Sequence, residues 1–189
     1  MSGRRFFLFW MLAFVGFPLG GFAAFLVVGS IEEMADGAVS GALTGAVVGA
    51  AQWLALRGRL AVGLLWIPAT ALGLGVGDAV GSALTGAGTG IGALIVTGLA
   101  SGLAVGLLQW ALLRRLVRAA WIWPLVVTVA WPLGWTVTWT VGIDVERAYA
   151  VFGSSGALVF AAITGTAMLL MMRGRYEYQS ERSRRGEPG

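Results

Sequence analysis

The chain has 189 residues, 58% of them hydrophobic and only 12% charged, with a mean hydropathy of +0.82 and a formal net charge of +4. Soluble domains carry about a quarter charged residues, so this composition belongs to an integral membrane protein. Cysteine, histidine and lysine are absent and all 13 positive charges are arginine, which excludes disulfides, thiolate and imidazole chemistry, sulfur-bound metals and a lysine Schiff base.

Six apolar runs follow one another, at 6–29, 37–56, 62–81, 91–113, 119–142 and 149–172. Each is about 20 residues or longer, enough for a helix to cross roughly 30 Å of hydrocarbon. Asp78 is the one charge inside any of them. The first run follows Arg4-Arg5 but is too long for a signal peptide and contains Pro18, so it is read as a span. The expected fold is all-α and membrane-embedded: a six-helix domain over 1–174 and a basic, disordered tail over 175–189.

Twelve of the arginines fall on one side of these spans: Arg4 and Arg5, Arg57 and Arg59, Arg114, Arg115 and Arg118, and Arg173, Arg175, Arg182, Arg184 and Arg185. The intervening connections carry Glu32, Glu33 and Asp36, then Asp144 and Glu146, with Arg147 the lone exception. The positive-inside rule makes the arginine face cytoplasmic and puts both termini inside.

The chain repeats itself at an offset of 57. Gly41, Gly45, Gly49, Gln52, Trp53, Leu56 and Arg57 match Gly98, Gly102, Gly106, Gln109, Trp110, Leu113 and Arg114; in the following runs Trp66 matches Trp123 and Gly77 matches Gly134. Two periods carry Phe17-Pro18-Leu19-Gly20 onto Trp131-Pro132-Leu133-Gly134. With a two-residue slip, Leu170-Met171-Met172-Arg173 echoes Leu54-Ala55-Leu56-Arg57, Met168 standing where a glutamine is expected. Three two-helix units result, at about 5–60, 61–117 and 118–174, and parallel repeats imply a pseudo-threefold axis along the membrane normal. The even helices carry small residues at every fourth position, Gly37, Gly41, Gly45 and Gly49 in one and Gly98, Gly102 and Gly106 in the next, a face on which another backbone approaches closely. The odd helix carries prolines and aromatics, so kinks are expected there.

Candidate functional residues are few. Gln52 and Gln109 are amides inside hydrocarbon that need partners. They either clamp neighbouring hairpins, well apart from each other, or face a shared polar pocket; the clamp is the expectation. Trp10, Trp53, Trp66, Trp110, Trp121 and Trp123 fall near the arginine ends of their helices and read as an interfacial belt, with Arg57 and Arg114 beside Trp53 and Trp110. Trp131, Trp135 and Trp139 form an i, i+4, i+8 stripe that either lines a ligand cleft or packs on a neighbour. Asp78 is a functional candidate because an ionisable group in a span is costly. It stands about 27 Å along its helix from Leu60, beside the uncharged connection 81–90, which is either re-entrant or a plain loop.

Other chemistry has no residues to carry it. There is no nucleophile–base pair, no paired carboxylate within the spans and no ligand cluster for a metal, so neither an enzyme nor a cofactor is expected. Glycines 86, 88 and 90 lack the strand and lysine of a phosphate loop. The basic tail suits anionic lipid at the cytoplasmic face, and its interleaved Glu177 and Glu181 argue against nucleic acid.

At Gln52-Trp53-Leu54-Ala55-Leu56-Arg57 and Gln109-Trp110-Ala111-Leu112-Leu113-Arg114 the chain resembles uncharacterised bacterial multi-pass membrane proteins that repeat a small-residue helix, a Gln-Trp-Leu-x-Leu-Arg exit and a Trp- and Gly-rich return helix. The resemblance covers roughly 37–137 and implies an architecture, with no activity attached. In length, span count and small-residue faces the chain also looks like the substrate-binding component of energy-coupling-factor vitamin transporters. Three parallel two-helix units with prolines on odd helices resemble mitochondrial carriers, but Leu133-Gly134 follows Pro132 where a carrier has charge. The expected function is binding or moving a small neutral or apolar solute. The alternative is an accessory subunit that docks a partner membrane protein, or a second copy of itself, through the glycine faces.

Overall fold

The computed structural model describes residues 2–142 and 154–184, and every regular element among them is helical. The helices are α1 (Gly3–Leu12), α2 (Gly16–Val28), α3 (Met34–Leu56), α4 (Trp66–Thr85), α5 (Ile91–Leu113), α6 (Trp123–Thr140) and α7 (Ser154–Arg184). Six segments are long and apolar enough to cross a membrane: Gly3–Val28, Met34–Leu56, Trp66–Thr85, Ile91–Leu113, Ala120–Thr140 and Ser154–Arg173. Asp144, Glu146 and Arg147 lie outside the described residues. Helix α7 runs on to Arg184, through residues 175–184 that the sequence reads as a disordered tail; no proline or glycine interrupts that stretch.

Local sequence explains the helix breaks. α1 and α2 form one span, joined by a 3-10 turn at Ala13–Val15. Pro18 has no N–H to offer the Phe14 carbonyl and its ring crowds that group, so the chain tightens just before it. Pro68 and Pro124 sit in the first turns of α4 and α6, where the missing N–H costs nothing, and Pro132 lies inside α6. The acids at the start of α3 cap it: the backbone N–H groups of Glu32 and Glu33 donate to Asp36 Oδ2 at 3.0 and 3.1 Å. The connection after α4 is not re-entrant. α4 continues to Thr85, Gly86 takes a left-handed conformation (φ 62°), and α5 begins at Ile91.

The helices pack in sequence order, α2 on α3, α3 on α4 and onward to α7, which returns to α1; α2 and α7 barely touch. Glycine makes these approaches possible. A Cβ built on Gly45 would lie 2.7 Å from the Thr70 carbonyl oxygen, and one on Gly102 2.7 Å from that of Val127. Gly41 and Gly49 meet Leu74 and Thr70 of α4 in the same way, while Gly98 and Gly106 meet Pro132 and Pro124 of α6. α4 has a second such face: Gly73, Gly77 and Gly81 back onto Val105, Ser101 and Thr97 of α5. Large apolar side chains such as Leu26, Leu72, Leu84 and Leu125 remain more than half exposed on the outside, as suits helices solvated by lipid.

The apolar core is concentrated at the arginine end. Trp10, Trp66 and Trp123 are 1%, 0% and 0% exposed there, so they are core residues and not members of an interfacial belt. Trp10 and Trp66 each lie against Trp123, with ring centroids 6.1 and 6.5 Å apart. The connections fold inward over them, burying Leu60, Val62, Val117 and Ala120. At the edge of this plug, the Arg57 guanidinium lies 5.2 Å from the Trp53 ring and that of Arg114 lies 5.6 Å from Trp110; both indoles are partly buried against the core, and Trp121 is exposed.

Candidate functional site

Two layers cross the bundle, one sealed and one hollow. In the sealed layer each buried indole donates to a polar group on a neighbouring span. Trp66 Nε1 donates to Gln52 Oε1 at 3.1 Å and Trp123 Nε1 to Gln109 Oε1 at 2.9 Å, the same bond 57 residues on. Trp10 Nε1 donates to Thr164 Oγ1 at 3.0 Å. The two glutamines, expected well apart, are joined directly: Gln109 Nε2 donates to Gln52 Oε1 at 3.1 Å and to Thr70 Oγ1 at 2.9 Å. They bond each other because α4 is thin enough, through Gly73 and Gly77, for α5 to close on it. No void separates the amides. Gln52, Gln109, Thr70 and Thr164 are all buried, so the layer is a satisfied polar network inside apolar packing.

Beyond it, Phe17, Trp131 and Phe160 make an aromatic floor, with centroids 4.8 to 5.7 Å apart and edge-on geometry throughout. Above this floor, toward the arginine-poor end, lies a cavity of about 570 Å³. Each wall is a row of residues at i+4 spacing, one face of one helix. α2 supplies Phe17, Gly21 and Phe25; α3 supplies Ser40 and Thr44; α4 supplies Leu74, Asp78 and Ser82; α6 supplies Trp131 and Trp135. Gly29, Ser30 and Ile31 after α2, Thr85, the turn at Ala87, Gly88 and Thr89, and Leu94 and Thr97 of α5 complete it. Asp78 stands 12 residues beyond Trp66, about 18 Å along the helix, and accepts a hydrogen bond from Ser101 Oγ. Among the described residues no arginine lines the cavity.

The cavity therefore gathers Asp78, Trp131 and Trp135 and the turn after α4, and leaves out Gln52 and Gln109. Trp139, the third member of the tryptophan stripe, is 48% exposed on the bundle surface. The hydroxyls Ser40, Thr44 and Thr97 are not singled out by the sequence, although Ser40 and Thr44 stand four apart on α3 and share a face; Ser82, within the 81–90 stretch, stands four residues beyond Asp78 on α4.

The described lining residues supply one carboxyl, several hydroxyls and aromatic walls, the mix of apolar surface and a few polar groups found in small-molecule pockets. No protein-family model, curated protein or solved structure matches the chain.

Proposed function

We propose that the chain is a six-span bacterial plasma-membrane protein, both termini cytoplasmic, that binds and moves a small solute. The cavity at the arginine-poor end is its site. The observation that carries this reading is the pairing of a hollow of about 570 Å³ with a sealed layer beneath it. A protein that only scaffolds others has no need to leave such a volume unfilled, since interiors otherwise pack like organic crystals. The accessory-subunit alternative loses the faces it was expected to dock through, because both glycine faces, Gly41–Gly49 and Gly98–Gly106, are already covered by α4 and α6.

The three-unit plan belongs to the same proposal. The bonds Trp66–Gln52 and Trp123–Gln109 stand one period apart; in the remaining unit Phe9 matches Trp66, and Trp10, one residue on, bonds Thr164, one turn before the Met168 that stands in place of glutamine. The seam between α2 and α7, the weakest of the ring, is where a solute has least to displace.

Two outcomes check these claims. Single cysteines at Glu33, Thr85 and Asp144 label from the side opposite both termini; labelling from the termini's side refutes the orientation. Gly21 lines the cavity, and a Cβ there meets nothing within 4 Å. Gly21→Phe therefore fills the site while leaving the thermal midpoint within about 2 °C of wild type. Solutes that stabilise the wild-type protein lose that effect in G21F. A panel that shifts neither protein, or both equally, contradicts the cavity as the site.

A further inference from the structure

We propose that the solute is an organic cation, its charge met by Asp78 and its body by aromatic faces; this rests on the cavity being the solute site. Asp78 is the sole acid among the described lining residues, and no base accompanies it there. Ser101 donates to Oδ1, while Oδ2 lies over the Gly41 backbone, 2.8 Å from where a Cβ would stand. A side-chain acceptor with two oxygens and one neutral donor has capacity left, and a cation is the partner that uses it best. Phe17, Trp131 and Trp135 offer ring surface to the same space, and aromatic faces attract positive charge within about 6 Å.

Size and ligand count decide which kind of cation. A volume of about 570 Å³ falls within the roughly 300–1,000 Å³ of small-molecule sites. A bare divalent ion is held by about six or more close oxygens, and one carboxylate with hydroxyls spread over separate helices does not gather them around a point. An amine or quaternary ammonium carrying an apolar body fits both the charge and the rings. This proposal departs from the small neutral or apolar solute expected from the sequence because the one ionisable group among the described lining residues is an acid.

The test uses the protein in lipid nanodiscs, with empty nanodiscs as the partition control, and three probes of similar size: benzyltrimethylammonium, its neutral carbon isostere neopentylbenzene, and benzenesulfonate. Isothermal titration is expected to give saturable binding of the cation at least tenfold tighter than of either other probe. Asp78→Asn keeps an acceptor for Ser101 and is expected to lower cation affinity to the isostere's level without changing the isostere's. Arg147, the one basic residue that the sequence puts at this end, lies outside the described residues. Arg147→Gln is expected to leave cation affinity within twofold, and a tenfold gain would make Arg147 the resident partner of Asp78 and overturn the proposal. Equal affinity for cation and isostere, or preference for the anion, with either lost in G21F, overturns the cation and leaves the cavity standing. Absence of saturable binding by all three probes, or equal binding to G21F, removes the cavity reading as well.

Discussion

Gly45→Leu and Gly102→Leu each destabilise the protein by about 3 kcal/mol or more, and both lower the thermal midpoint in detergent sharply. The reason is geometric. A Cβ at either position lies 2.7 Å from a backbone carbonyl oxygen of the facing helix, with the next Cα at 2.8 Å. Backbone cannot rotate aside as a flexible side chain does, so the two helices must separate along their length and lose the dispersion contacts of the whole seam. Overpacking a well-filled interior typically costs about 1–3 kcal/mol even where side chains yield. Gly92→Leu is the control, on α5 but with nothing within 4 Å of its Cβ; it changes stability by no more than about 0.5 kcal/mol. Unchanged midpoints for G45L and G102L would show that the glycine faces are not the seams.

Gln109→Leu is the second large effect. Gln109 joins three elements, donating to Gln52 and Thr70 and accepting from Trp123. Leucine leaves the Trp123 N–H buried with no acceptor and takes a donor from Gln52, at a cost of about 1–3 kcal/mol. Gln52→Leu orphans the Trp66 N–H in the same way. Because the amides bond each other, the double variant costs less than the two singles added, by about 1 kcal/mol. This reverses the additivity that separate clamps would give. Additive losses in a double-mutant cycle of thermal or denaturant unfolding would show that the Gln52–Gln109 bond contributes nothing.

The spans, their lengths and the glycine seams of α3 and α5 can be read from the sequence because each depends on a local period: about 20 apolar residues, or glycine every fourth position. Where a property depends on the partner helix, the reading goes astray. Gly73, Gly77 and Gly81 have the same fourfold spacing as the even-helix glycines, yet they stand on an odd helix, where prolines and aromatics predict kinks; in place they are the face that admits α5. Trp66 and Trp123 look interfacial because they start helices next to arginines. They are buried because Leu60 and Val117, matching residues of the two connections, fold over them and because glutamines await their N–H groups. Asp78 stands out in the sequence as the lone acid in a span, but Phe17, Ser40 and Thr44 give no signal of facing it, since they come from other helices and meet it only across the cavity.

The contrast between a hollow end and a sealed end is tested most directly by thiol accessibility, for which a cysteine-free chain needs no background removal. Single cysteines replace Gly21 and Ser40 in the cavity wall and Met168, fully buried in the plug, in vesicles of known orientation. A membrane-impermeant thiol reagent is applied from each side in turn. Gly21→Cys and Ser40→Cys are predicted to react from the side opposite the arginine-rich ends, and Met168→Cys from neither. Inert cysteines at 21 and 40, or reaction of either from the arginine side, would contradict a cavity that opens at one end and is closed at the other.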